Sequence, residues 1–346
     1  MSEVRFIHSA DFHLDAAGQD DDGLVFLRRQ ALTQVVDRCT ATGAQLLFLA
    51  GDLWDQEAVR RETLTFIRKE LARVPKVRIF IAPGNHDAWG HNKTWTQEGW
   101  SDNVHIFSDF SFVELPQYKV RVYGAGFTSR WSASSLLPEN LSLDPQWINV
   151  LVMHGEVGAP SDYNPMPWER LVLFDYCALG HRHEYELLAP PAKGGYPGSA
   201  AVTSFRDSSL KGCLQGVFRE GTVHTDFYPL HGPLLQEMSL PLRGDESLDT
   251  LEAAIVNLQQ SSFGYLTLRL TGRIAKRPPI EELTRRLQNP MLRLLDETRE
   301  QRDYESLAKE NSLRGIYTRR LLASEDPLAQ EALEAGLDAL EGEWLP

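Results

Sequence analysis

Residues 77–87, VRIFIAPGNHD, decide how this chain is read. An apolar, β-branched run closed by Pro-Gly is the pattern of a buried strand entering a turn. The turn is followed at once by an amide, an imidazole and a carboxylate, those of Asn85, His86 and Asp87. Polar groups in that position stand at the rim of a sheet, where open α/β proteins place their chemistry. Taken alone, the stretch serves equally well as a turn capped by Asn and Asp, so the rest of the chain must separate the two readings.

Working outward, VRFIHSAD at 4–11 and QLLFLAGD at 45–52 read as further buried strands. Between them, Leu24, Leu27, Leu32, Val35 and Val36 recur at helical spacing and predict a helix over 24–42; ETLTFIRKELARV predicts another over 62–74. This β-α-β-α-β order implies a parallel sheet covered by helices. After residue 104 the pattern turns strand-rich, through VHIFSD, FVELP, VRVYGAGF, INVLVMHG, CALGHRHEY, GCLQGVFRE and GTVHTDFYPL. The segment PLHGP at 229–233 marks a boundary. Beyond it, strand, helix, strand and helix patterns over 234–288 make a compact α+β unit. From about 301 the chain reads as helical, with Leu333, Leu337, Leu340 and Trp344 along one stripe. The expected organisation is 1–232, 233–300 and 301–346.

The 346 residues are 42% hydrophobic and 24% charged, the composition of a globular protein with a sizeable core. No apolar run reaches membrane-spanning length and no signal-peptide pattern opens the chain, so a cytoplasmic protein is expected. Cys39, Cys177 and Cys213 are scattered without C-x-x-C pairing and read as buried thiols. A net charge of −13 repels nucleic acid at long range and argues against a DNA-coating protein. It leaves open an enzyme that meets nucleic acid through bound cations.

Asn85 and His86 have company. Predicted strands also give out at Asp11 and His13, at Asp52 and Asp55, at His154 with Glu156, and at His181 with His183. Residues at i and i+2 of an extended segment point to the same side, so Asp11 with His13 and His181 with His183 form two pincers. A lone D-x-H or G-H-x-H says little. Together, the carboxylate, imidazole and amide groups suit a pair of transition-metal ions such as Mn²⁺, Fe²⁺ or Zn²⁺. A carboxylate has two oxygens and is able to bridge them, and such a pair activates water and clamps a phosphoryl group.

The ordered set D-x-H, G-D-x-x-D, G-N-H-D, H and G-H-x-H over 11–183 resembles the calcineurin-like metallophosphoesterase superfamily. With the strand-rich stretch, the small α+β unit and the C-terminal helices that follow, the chain is similar to the SbcD-type family, the exonuclease subunit of a DNA double-strand-break repair complex. The resemblance implies an α/β fold, a four-layer αββα sandwich with a small α+β cap domain and C-terminal helices. By position, Asp11, His13 and His183 resemble ligands of a first metal, Asn85, His154 and His181 ligands of a second, and Asp52 the bridge. His86 resembles the residue that protonates the leaving oxygen or stabilises the transition state, and Asp55 the carboxylate that orients it. The implied activity is Mn²⁺-dependent 3′-to-5′ DNA exonuclease with some endonuclease activity, by a two-metal-activated water. The implied partners are DNA ends, an SbcC-like coiled-coil ATPase docked on the C-terminal helices, and a second copy of the chain meeting it through helices of the nuclease domain.

Groups that would touch DNA are fewer. Trp89, Trp95 and Trp100 with Lys93 follow the GNHD turn, either as a base-stacking platform or as packing for a long loop. Arg60 and Arg61 either reach phosphates or are solvated charges at a helix start. Arg269, Arg273, Lys276 and Arg277 form a basic cluster that a solvated strand edge explains as well. The competing reading of the same site is a phosphodiesterase or phosphatase for a small molecule, such as a cyclic nucleotide or nucleotide-sugar lipid. An acidic surface suits that reading.

Overall fold

A computed structural model describes residues 3–16, 22–90, 94–96, 99–158, 160–202, 210–230, 234–261, 264–289 and 291–340. The chain divides into two compact units, Met1–Leu235 and Gln236–Pro346.

The first unit begins with β1 (Val4–Ser9), α1 (Asp22–Thr42), β2 (Leu46–Leu49), α2 (Arg61–Ala72) and β3 (Arg78–Ile81). It continues through β4 (Val104–Ile106), β5 (Ser111–Leu115), β6 (Val120–Ala125), β7 (Ile148–His154), α3 (Trp168–Leu171) and β8 (Tyr176–Gly180). The elements β9 (Glu186–Leu187), β10 (Gly194–Tyr196), β11 (Gly212–Arg219) and β12 (Thr222–Pro229) complete it. Two six-stranded sheets form, in the orders β12-β11-β1-β2-β3-β4 and β5-β6-β7-β8-β10-β9. The central strands β1, β2 and β3 run parallel, as do β6, β7 and β8.

The period-two alternation of each strand divides its side chains between two cores. Phe6, Phe48 and Phe80 face Val122, Val152 and Ala178 between the sheets. Ile7, Leu47 and Ile79 face the other way, against Val35, Val36, Ile67 and Leu71 of α1 and α2. Burial on both faces is why these strands read as unbroken apolar runs. The outer face of the second sheet, with Leu151, Met153 and Leu179, is covered by Leu137, Met166, Leu171 and Phe174. The layers are therefore αββα, the last consisting of the single turn α3 and irregular chain around it. One polar group sits between the sheets: buried His8 meets the Tyr176 hydroxyl and the Leu179 carbonyl, both at 3.1 Å, and ties β1 to β8. All three cysteines are free and buried.

The second unit contains β13 (Leu234–Pro241), α4 (Leu248–Ser261), β14 (Gly264–Thr271), β15 (Arg273–Ile274), α5 (Ile280–Leu287), β16 (Leu292–Asp296) and β17 (Arg299–Glu300). It ends with α6 (Tyr304–Lys309), α7 (Leu313–Leu322) and α8 (Ala329–Leu340). A three-stranded sheet, β13-β14-β16, packs Leu266, Leu268 and Leu270 against Leu251, Ile255 and Leu283 of α4 and α5. The chain after 301 belongs to the same compact unit as the α+β part. Arg302 bonds Glu334 at 2.8 Å and Asp338 at 2.7 Å, and Arg299 bonds Asp338 at 2.9 Å, fixing α8 to β17. Leu333 and Leu337 of the expected stripe are buried and Leu340 is exposed, while Trp344 lies outside the described residues. The strand β16 had no counterpart in the sequence reading.

Candidate metal centre

Every strand end singled out by the sequence opens on the same rim. Asp11 and His13 follow β1, Asp52 and Asp55 follow β2, Asn85 and His86 follow β3, His154 closes β7, and His181 and His183 follow β8. Four of these residues leave their strands with left-handed backbone: Asp11 (φ 54°), His13 (φ 47°), Asp52 (φ 52°) and His181 (φ 114°). Such backbone costs a non-glycine residue about 1–3 kcal/mol and persists only where its surroundings enforce it. Here it turns side chains from successive strands inward. Gly84 explains the glycine of the GNHD turn: a Cβ there would lie 2.2 Å from Asp52 Oδ1 and 2.8 Å from the Asp52 nitrogen.

The side chains meet in two groups that share one oxygen. His13 Nε2 lies 3.1 Å from His183 Nε2 and 3.8 Å from Asp52 Oδ2, and His183 Nε2 lies 3.9 Å from Asp11 Oδ1. His154 Nε2 lies 3.3 Å from Asp52 Oδ2 and 3.1 Å from Asn85 Oδ1. Its ring is 5.3 Å from that of His181. The tautomers are set from behind. His154 Nδ1 donates to the Ala50 carbonyl at 2.8 Å and His13 Nδ1 to Asp55 Oδ1 at 3.1 Å, so both Nε2 lone pairs face inward. Asp52 Oδ1 accepts from the His86 nitrogen at 2.9 Å, which leaves Oδ2 as the atom both groups share. Lone pairs converging from two imidazoles on one side, and from imidazole and amide on the other, around a shared carboxylate oxygen fit two divalent cations of the N/O-binding type.

The charges favour the same occupant. Burial pushes the Asp11 carboxyl up to about 7, with the Asp52 charge adding and the His154 charge opposing. Burial opposes ionisation of Asp52 too, yet the charge of His154, its hydrogen bond and the charges of His13 and His86 hold it below the usual carboxylate range. Burial would depress His154, but the Asp52 charge beside it raises it to about 9. The pocket therefore draws in a positive charge, and a bound dication supplies it in place of a proton. His181 and His183 are both lowered to about 4 by burial first, which favours the neutral imidazole that metal binding needs.

His86 stands beside these groups, its side chain 31% exposed, with Nδ1 2.8 Å from Asp55 Oδ1. The hydrogen bond to Asp55 raises its pKa despite burial. The same Asp55 oxygen takes His13, so one carboxylate positions both imidazoles. Asp87 accepts from the backbone nitrogens of Gly84 at 2.6 Å, Leu53 at 2.7 Å and Asp52 at 3.3 Å, locking the ends of β2 and β3 together. Two further supports complete the rim, the first of them with no sequence motif. Asn164, buried and left-handed at φ 50°, donates to the His154 carbonyl at 2.7 Å. Glu156 Oε2 lies 3.6 Å from His181 Nε2 and bonds Arg182.

Residues 4–185 match the calcineurin-like phosphoesterase family. The chain belongs to that family. This phosphoesterase is 24% identical over 272 residues to an uncharacterized metallophosphoesterase, YhaO, of Bacillus subtilis, a match covering 72% of this chain and 66% of the relative's length. Among solved structures it is similar to a dimetal phosphatase from Danio rerio, at 12% identity and TM-score 0.45 over 65% of this chain and 96% of that one. It is also similar to a purple acid phosphatase from yellow lupin, at 11% identity and TM-score 0.41 over 66% of this chain and 52% of that one. Members of this phosphoesterase family hydrolyse phosphate esters with divalent metals, and the rim just described is this member's candidate dimetal site.

Several of the groups considered for DNA contact have partners of their own. Trp95 is buried, packs tilted against Trp54 at 4.2 Å, stacks with Trp100 at 5.5 Å, and bonds the Asp87 carbonyl at 2.5 Å. Trp89 packs on the same core with its indole nitrogen on the Phe107 carbonyl at 2.6 Å. Arg60 bonds Asp15 at 2.7 Å, and Arg61 is exposed at the start of α2. Lys93 lies outside the described residues. In the second unit Arg269 bonds Glu237 at 3.2 Å and also Glu297, Arg273 bonds Glu334 at 2.6 Å, Arg277 lies 3.9 Å from Asp296, and Lys276 is exposed. Among the described residues no helix is long and apolar enough to cross a membrane.

Proposed function

We propose that this phosphoesterase is an SbcD-type nuclease that hydrolyses the phosphodiester backbone of DNA from 3′ ends, with Mn²⁺ as its metal. Asp11, His13 and His183 would hold one cation, Asn85, His154 and His181 the other, with Asp52 Oδ2 between them. When bound, two such cations neutralise the phosphate and lower the pKa of the attacking water. His86 then carries the remaining task. With Nδ1 held by Asp55, its Nε2 is the atom that delivers a proton to the leaving oxygen. The observation that carries the reading is this supported, partly exposed histidine beside a two-cation cradle, since the alkoxide leaving group of a diester needs a proton that a ligand cannot give.

A long substrate and a partner are supported by the second compact unit, Gln236–Pro346, which lies beyond the residues matching the family. Leu313, Ile316 and Leu322 of α7 are 50–69% exposed, and Leu328 just before α8 is 63% exposed, a surface suited to a coiled-coil ATPase of the SbcC type. The helices α1 and α2 are the proposed dimer contact. A second reading, a small-molecule diester as substrate, is favoured by the charge of −13 and by arginines already paired: Arg60 with Asp15 and Arg182 with Glu156. Mn²⁺-dependent degradation of a labelled linear duplex, run beside a small chromogenic diester and His86→Ala, separates them. Loss of duplex by the wild type and not the variant supports the nuclease; cleavage of the small diester alone supports the second reading.

A further inference from the structure

The aromatic groups that the sequence placed near the site, Trp89 and Trp95, face the core, yet another pair lies at the rim. Trp131 is 56% exposed and its ring lies 5.2 Å from that of Tyr163, at an interplanar angle of 45°. The Tyr163 ring in turn lies 4.9 Å from the imidazole of His181, at 32°. The run from metal ligand to exposed indole is thus two ring contacts long. The backbone that carries the pair is tied together by hydrogen bonds. Ser132 bridges Tyr163, the Ser132 nitrogen donates to the Asp162 carbonyl at 2.8 Å, and the Asn164 nitrogen donates to the Ser132 carbonyl at 2.7 Å. Asn164 is the residue whose amide holds the His154 carbonyl, so the aromatic pair and a metal ligand share one support. Beside Trp131, Arg130 meets Glu57 at 3.0 Å, both side chains at least half exposed, a pair weak enough for a phosphate to replace.

We propose that Trp131, backed by Tyr163, is the subsite for the nucleobase of the nucleotide whose phosphate occupies the metal centre. The proposal rests on the reading of that centre as a nucleic-acid phosphodiesterase. An exposed indole packed against a second aromatic ring offers a π-face that any base stacks upon. Tyr163 links the indole to His181, so base and phosphate of one nucleotide would be read together. Sequence tolerance follows, since stacking does not discriminate among bases.

The test is calorimetric titration of the Mn²⁺-loaded full chain with two phosphonates, the analogues of thymidine 5′-monophosphate and of 2-deoxyribose 5-phosphate in which a methylene replaces the ester oxygen. Neither turns over. The wild type is expected to bind the thymidine analogue about tenfold more tightly than the abasic one. Trp131→Ala is expected to bring that ratio to about one with unchanged metal content, and Trp131→Phe to keep most of it. A ratio near one in the wild type, or one that Trp131→Ala leaves in place, overturns the base subsite. A third titrant, a phosphorothioate-linked hexathymidylate, tests the reading beneath it. Binding tighter than the mononucleotide analogue supports a strand as the substrate. Equal binding, with the Trp131 effect intact, keeps the base subsite and assigns it to a free nucleotide instead.

Discussion

The rim of the two sheets and the outer surface of the second unit carry the same kinds of side chain and use them in opposite ways. At the rim, Asp11, Asp52, Asp87 and His154 are all at most 2% exposed. Buried ionised groups cost several kcal/mol unless something compensates, and here the compensation is a set of backbone donors, paired imidazoles and a place for cations. In the second unit, Arg285 and Arg286 meet Glu282, and Arg286 also meets Asp249, on open surface. Exposed pairs of this kind contribute about 0–1 kcal/mol each and direct no chemistry. The difference teaches where to look for function: at charge the fold has gone to structural expense to bury, with left-handed backbone at Asp11, His13, Asp52 and His181 as its second mark.

The contrast is open to attack at each level. The largest effect is expected from Asp52→Asn, which removes the shared charge: metal content measured by plasma mass spectrometry falls and ester hydrolysis drops by on the order of 10³-fold or more. Full metal occupancy with a near-normal rate would break the reading of Asp52 as the carboxylate common to both groups. His86→Ala sharpens it from the other side. Hydrolysis should fall by roughly 10²–10³-fold with metal content retained, because the lost group is a proton donor and not a ligand. A variant that loses metal as well would mean His86 is part of the cradle.

Smaller effects separate the two units in stability. A metal at a hundred times its dissociation constant adds about 2.7 kcal/mol to the state that binds it. Stripping metal with a chelator should therefore lower the thermal transition of the first unit by about 5–10 °C and leave that of the second in place. Equal shifts of both transitions in calorimetry would contradict a metal centre confined to the rim. The smallest effect is expected at Asp338, the acid facing Arg273, Arg299 and Arg302. Asp338→Asn should cost about 1 kcal/mol in denaturant unfolding, with metal content and hydrolysis unchanged.

Much of the site was legible because its ligands occupy strand ends, and a strand end shows in sequence as an apolar run that stops. The glycines beside them were legible for the same reason: Gly84 lets β3 approach Asp52 as no larger residue could. Other parts were hidden. Asp87 looked like one more carboxylate of the turn, whereas it fastens the β2 and β3 ends through three backbone nitrogens from residues some 30 positions apart. Asn164 and Tyr163 carry no motif, since each acts through contacts with His154 and His181 that no local pattern records. Trp95 and Trp131 are the same residue type on chain leaving the same rim, and only their surroundings make one core and the other surface. The strand β16 was missed because LRLLD is half-buried throughout and shows no clean alternation.

The sequence by itself determined the α/β class, the order of the strand ends that carry the candidate site and the residue types suited to a metal, because periodicity, Pro-Gly turns and ligand chemistry are local properties. Only the tertiary structure decided that Asp52 Oδ2 is the shared atom, that Asp55 serves both His13 and His86, and that Trp131 is exposed where Trp95 is buried. Each of these depends on which of two like atoms or like residues is free, and that is settled by hydrogen bonds and burial between segments far apart in the chain.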